Sequence, residues 1–216
     1  MISKKTTIAV VDDHRLIRQM WITLFAGDPN FEIIGEAENF DETINMIRAK
    51  RPDIVLLDIN LDHASGMDAM PLIRKLSPGT RVIAVSMHTQ PAYAKKMLQL
   101  GAKGYLTKNS SHEEVYKALE IVINGGTYIC SEIKDHLAAT IMVSEPVMHD
   151  TKELSMREIE IITLIKNGLS SKEISSDLHI SARTVEVHRH NILRKLKIKN
   201  AAALINYINT TDLGFN

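Results

Sequence analysis

The chain has 216 residues, enough for one large domain or two small ones, and its 44% apolar content supports a packed core. Twenty-six Lys and Arg cancel twenty-six Asp and Glu, so no global charge selects nucleic acid or a membrane as partner. A single cysteine, Cys130, excludes an intrachain disulfide and fits a reducing compartment. The opening Met-Ile-Ser-Lys-Lys lacks the apolar stretch of a signal peptide, and no apolar run approaches membrane-spanning length, so a cytoplasmic protein is expected.

The first 126 residues alternate between short apolar runs and helical spacing. Strands are expected at 7–11, 31–35, 54–57, 82–85 and 104–106. Between and after them, helices are expected over 14–25, 40–50, 66–76, 91–100 and 111–124. Gly27-Asp28-Pro29-Asn30, Ser77-Pro78-Gly79 and Gly101 supply the breaks. Five strand–helix alternations predict a parallel sheet covered by helices on both faces, a flavodoxin-like α/β fold. Residues 127–150 read as a linker with a helix from Glu132 to Met142.

From 151 to 216 no strand signal remains. Leu154-Ser-Met-Arg-Glu-Ile159 and Leu169-Ser-Ser-Lys-Glu-Ile174 each combine a Ser-to-Glu capping box with a Leu-to-Ile hydrophobic staple. Ile180-Ser-Ala-Arg-Thr-Val185 repeats the staple with Thr184 in place of Glu. Three helices therefore start near Met156, Ser171 and Ala182, and a fourth spans Ala201 to Asn209. Only His179-Ile180-Ser181 separates the second from the third, the connection of a helix-turn-helix.

Two places carry chemistry. Ile54 to Leu57 runs into Asp58, and Thr7 to Val11 runs into Asp12-Asp13. The carboxyl edge of a parallel sheet is where such folds bind ligands. Three carboxylates converging there raise one another's pKa unless a cation joins them, and an all-oxygen set suits Mg²⁺. The other place is the third C-terminal helix. From Arg183 to Lys199 there are six Lys or Arg (Arg183, Arg189, Arg194, Lys195, Lys197 and Lys199) against one acid, Glu186. On a helical wheel Val185, Ile192 and Leu196 share one side, and Arg183, Val187, His190 and Arg194 form a stripe on the other. A helix of about 22 Å fits the major groove of double-stranded DNA, where Arg and His donate to base edges or phosphates and Val touches a thymine methyl. Glu186 is unfavourable near phosphates but can accept from cytosine.

These residues carry a family resemblance. Leu-Ser-x-Arg-Glu, Lys-Glu-Ile and Ile-Ser-x-x-Thr-Val-x-Val-His…Asn-Ile-Leu-x-Lys-Leu over 154–204 resemble a LuxR-type helix-turn-helix domain. Asp12-Asp13-His14, Asp58, Gly66, Ser86, Gly101-Ala-x-Gly-Tyr105 and Lys108 resemble a receiver domain. Together they resemble a two-component response regulator of the NarL/FixJ family. The resemblance implies that Asp58 is the phosphoacceptor for a sensor histidine kinase or phosphotransfer protein. Mg²⁺ would be held by Asp13, Asp58, the backbone carbonyl of Asn60 and, through water, Asp12. Lys108 and Ser86 would contact the phosphoryl group, Tyr105 would move inward with it, and His14 would be a supporting residue. Arg183, Thr184, Glu186, Val187, His190, Arg194, Lys195 and Lys197 would face DNA. Phosphorylation would free this helix and promote a homodimer through the last helix, around Ala202, Leu204 and Ile205. Three positions depart from the family pattern: Arg15 stands where Pro is common, Leu61-Asp62 replaces Met-Pro, and Glu186 occupies a position often held by Lys.

Other readings fit less well. A phosphate-independent regulator, its receiver serving dimerisation or ligand sensing, leaves the acidic constellation without a role. An aspartate-nucleophile phosphatase needs a second acid two residues after the nucleophile, and that residue is Asn60. A zinc protein fails because the nine His have no paired-ligand spacing.

Overall fold

The computed structural model describes residues 5–61, 64–141, 154–178 and 180–210, so Asp62, His179 and residues 142–153 of the expected linker and second domain lie outside the described residues. The chain divides into two compact units, Met1–His136 and Leu137–Asn216.

In the first unit the strands are β1 (Thr6–Val11), β2 (Phe31–Ala37), β3 (Ile54–Asp58), the short β4 (Asn60–Leu61) and β5 (Ala64–Ser65), β6 (Arg81–Ser86), β7 (Gly104–Thr107) and β8 (Tyr128–Ile129). The helices are α1 (Arg15–Phe25), α2 (Phe40–Lys50), α3 (Gly66–Leu76), α4 (Pro91–Gln99), α5 (His112–Ile123) and α6 (Ser131–Ile141), which runs on past the unit's end. Six strands form one sheet in the order β2-β1-β3-β6-β7-β8, and each of its pairs is parallel. The sequence led to five strands. The sixth, β8, comes from the stretch read as a linker and pairs Tyr128 with Gly104 and Ile129 with Tyr105.

Both faces of this sheet are covered, which is why its central strands read as continuous apolar runs rather than alternating ones. Every residue of β3 is buried, as are Ile8 to Val11 of β1 and Val82 to Ser86 of β6. Burying each Val, Leu or Ile contributes about 1.5–3 kcal/mol. Trp21, Phe25, Phe31 and Tyr116 stack edge-to-face and offset beside β2, pinning α1 and α5. Asn39 and Ser111 cap α2 and α5 by accepting from the Glu42 and Glu114 amides. At the end of α4, Gly101 has φ +102, a conformation that side-chain-bearing residues avoid.

The second unit holds α7 (Met156–Lys166), α8 (Ser171–Asp177), α9 (Ala182–Lys195) and α10 (Ala201–Thr210). The three expected starts are met by Ser155, Ser170 and Ser181 as N-caps, the first two with both bonds of a capping box. Ile161, Ile162, Ile174, Val185, Ile192 and Leu204 form the core, each at most 1% exposed. Leu204 is thus a core residue of this unit, whereas Ile205 beside it is exposed.

Candidate functional site

β1 and β3 are neighbours, and strand order reverses direction around them, so their carboxyl ends open on one crevice. Asp12 follows β1 and Asp58 ends β3, exposed by only 2% and 3%. Lys108, just past β7, enters between them. Its Nζ lies 2.8 Å from Asp12 Oδ2 and 2.7 Å from Asp58 Oδ2. The Asn60 amide donates to the other Asp58 oxygen at 3.0 Å, and the His14 amide donates to Asp12 Oδ1 at 2.9 Å. Burial raises the Asp58 pKa to about 6, with Asp12 adding to the rise and Lys108 opposing it. For Lys108 burial favours the neutral amine, but the Asp58 and Asp12 carboxylates outweigh it and hold the ammonium above its ordinary value.

Asp13 lies against the same crevice. Its Oδ1 is buried without a hydrogen bond, although His14 Nδ1 sits 2.6 Å away out of hydrogen-bonding alignment. One ligand atom each from Asp12, Asp13, His14 and Asp58 lies within 4.8 Å of the others. A carboxylate oxygen left without a hydrogen bond, beside the two further carboxylates of Asp12 and Asp58, fits a Mg²⁺ ion held by few carboxylates and several waters.

The surrounding residues fix the crevice. Arg18, buried on α1, donates from Nη1 to the Asp12 and Asp13 carbonyls at 2.8 and 3.3 Å, while Glu36 and Glu38 hold the rest of its guanidinium. The Gly66 amide donates to the Ile59 carbonyl at 2.8 Å, and a Cβ on Gly66 would stand 2.1 Å from the Asp58 carbonyl oxygen. Ser86 is fully buried; its Oγ accepts from the His88 amide at 3.0 Å and its carbonyl from the Lys108 amide at 2.8 Å. Tyr105 is fully buried already, its hydroxyl donating to the His88 carbonyl at 2.9 Å.

Two supporting residues escaped the sequence reading. Arg18 carries no signal beyond lying in the first turn of α1. His88, two residues past Ser86, stacks on Tyr93 at 4.1 Å and meets the Asn60 amide side chain at 3.0 Å.

In the second unit α9 turns Val185 and Ile192 inward and leaves Arg183, Glu186, Val187, His190, Arg194 and, beyond its end, Lys197 exposed. Thr184 is partly buried and bonded to Ser181 through its hydroxyl at 2.8 Å. Lys195 does not join the exposed stripe. Its ammonium reaches Glu158 at 2.7 Å, a carboxylate only 3% exposed on α7, so it closes an internal ion pair between helices. Seven of the eight residues grouped for DNA contact thus lie on or beside one surface, and Lys195 ties that surface to the core.

Residues 8–120 match the response regulator receiver domain family, and residues 152–208 match the luxR family of bacterial regulatory proteins. The transcriptional regulatory protein MctR of Rhizobium johnstonii is 35% identical over 203 residues, covering 94% of this chain and 92% of the relative. A solved LuxR-family two-component response regulator from Aurantimonas sp. SI85-9A1 matches 64% of this chain and 99% of its own at 29% identity, with a TM-score of 0.60. RcsB from Salmonella enterica serovar Typhimurium, solved bound to a promoter with the phosphomimetic BeF3−, covers 96% of this chain and 100% of its own with a TM-score of 0.61. At 21% identity it shows a shared fold.

Proposed function

Because the chain belongs to the response regulators, with a receiver domain and a luxR-family regulatory domain, we propose that it regulates transcription by binding double-stranded DNA through α9 under the control of Asp58 phosphorylation. The observation that carries this reading is the Lys108 ammonium set between Asp12 and Asp58 at the sheet's carboxyl edge. A buried carboxylate with a cation beside it and a pKa near 6 is ionised at neutral pH and able to act as a nucleophile. The receiver expected at 1–126 takes in β8 as well, the linker expected at 127–150 is shortened accordingly, and the DNA-binding domain is expected at 151–216.

The phosphoryl donor is a phosphohistidine on a sensor kinase or phosphotransfer protein. An Asp58 carboxylate oxygen attacks phosphorus, the phosphorus–nitrogen bond breaks, and the electron pair leaves with the imidazole. Asn60 N–H limits rotation of the carboxylate, so the attacking lone pair is already aimed. Lys108 moves its charge from the Asp58 oxygen to a phosphoryl oxygen, and the Ser86 hydroxyl donates to another. Asp13, Asp58, the Asn60 carbonyl and, through water, Asp12 would hold a Mg²⁺ ion, which would supply positive charge against the negative charge that builds among these oxygens. Asn60 cannot transfer protons, so the acyl phosphate is not rapidly hydrolysed. The phosphorylated protein is read as a homodimer on two half-sites, and the site of action as the cytoplasm; among the described residues no helix is long and apolar enough to cross a membrane.

Gel shifts on genomic fragments, with and without acetyl phosphate and Mg²⁺, test this reading in wild type and Asp58→Ala. Binding that tightens with phosphodonor only in wild type supports it. Equal binding by both proteins in every condition refutes the phosphate switch.

A further inference from the structure

Glu186 is the one acid in a basic stretch, and its carboxylate is not left to swing. Ser171, the first residue of α8, donates from Oγ to Glu186 Oε1 at 2.5 Å. Arg189, one turn further along α9, donates from Nη1 to the same Ser171 Oγ at 3.0 Å. The hydroxyl therefore has its donor direction fixed towards Glu186 by an arginine that can only donate. The second oxygen, Glu186 Oε2, meets no protein donor among the described residues. Glu186 is an exposed residue, next to Val187, which is 54% exposed.

Near DNA this arrangement has a defined cost and a defined remedy. A carboxylate brought against phosphates is repelled, so Glu186 lowers affinity for duplex in general. The repulsion is offset only where a base edge offers a hydrogen to the free oxygen. In the major groove cytosine and adenine both present an amino donor, but adenine sets its N7 acceptor beside it, which repels a carboxylate, and guanine presents only acceptors, so cytosine is the base that fits. A carboxylate held in one orientation discriminates more sharply than a mobile one, because no rotamer entropy is lost on contact.

We propose that Glu186 is a specificity-determining residue that demands a cytosine in each half-site, with Ser171 and Arg189 as the residues that position it. This rests on the reading of α9 as the helix that enters the groove. It makes a pairing of signs that a merely structural role does not. Removing the charge raises affinity for unselected duplex while erasing the base preference.

The test uses the full chain with acetyl phosphate and Mg²⁺, offered a pool of randomised duplexes that is sequenced after selection. Wild type should enrich one cytosine per half-site about tenfold over the other bases. Glu186→Gln should replace that cytosine by adenine, which glutamine reads through N6 and N7, and should bind unselected duplex more tightly than wild type. Ser171→Ala should weaken the cytosine preference about threefold. If wild type and Glu186→Gln enrich the same bases, or Glu186→Gln weakens binding to unselected duplex, the inference is overturned while the helix reading stands. If wild type binds no duplex, the helix reading falls and this inference with it.

Discussion

Asp58→Asn should make the first unit more stable, and the gain should depend on pH in a direction fixed by the pocket. The Asp58 carboxyl titrates near 6 in the folded chain against 3.8 as its ordinary value. Between those values the folded protein holds the proton and the unfolded chain does not, so stability falls as pH rises through the window and the loss is complete above about 6. The separation of roughly two units corresponds to about 3 kcal/mol at 1.36 kcal/mol per unit. Asparagine is nearly isosteric and carries no charge to desolvate. It leaves Lys108 with Asp12 as partner, and the loss of the bond to Asp58 is already contained in that figure, since Lys108 opposes the rise to about 6. The expected gain is about 3 kcal/mol at pH 7.5, falling to about half of that by pH 5 and towards zero below pH 4. Trp21 is the single tryptophan and sits in the aromatic cluster of the first unit, so its fluorescence in urea titrations with chelator reports this unit alone. Millimolar Mg²⁺ should narrow the gap by stabilising only wild type. An Asp58→Asn protein no more stable than wild type at pH 7.5, or a gain that does not change with pH, would refute the account of a carboxylate destabilised by its burial.

Lys108→Met removes the cation between two buried carboxylates, and acceptance of phosphate from acetyl phosphate should fall about a hundredfold or more, read on a phosphate-affinity gel. Gly66→Ala places a Cβ against the Asp58 carbonyl, which is backbone and cannot rotate away; a loss of about 1–3 kcal/mol by Trp21 fluorescence, with reduced phosphate acceptance, is expected. In the second unit Lys195→Met strands the buried Glu158 carboxylate and should cost about 3 kcal/mol. Glu158→Gln, which keeps an acceptor for the Ser155 amide, should cost less when the two variants are compared by scanning calorimetry.

The sequence disclosed most where local and global demands agree. β3 was expected at 54–57 and forms Ile54–Asp58, because a run buried on both faces needs no periodicity to be seen. The second unit's helices begin where Ser155, Ser170 and Ser181 cap them, since capping is chemistry within four residues. β8 stayed hidden because two residues have no pattern, and it exists only by pairing with Gly104 and Tyr105 some two dozen positions earlier. Lys195 looked like one more exposed cation for the same reason. Its partner Glu158 is 37 residues away, and a helical wheel shows direction but not what waits there. Arg18 was equally silent, because its work is to hold the carbonyls behind the acids rather than the acids themselves.

The order of the main sheet bears on how the molecule behaves when crowded. An open sheet ends in two rows of unpaired backbone groups, each a template on which another chain can add a strand and begin a fibril. Here one border, β2, carries Glu32 and Glu36 exposed and slips register against β1 between Ile8 and Ala9, so an incoming strand meets negative charge and a broken repeat. The other border, β8, is two residues long and offers almost nothing to extend. Both borders of the sheet thereby steer the chain away from the cross-β route to aggregation.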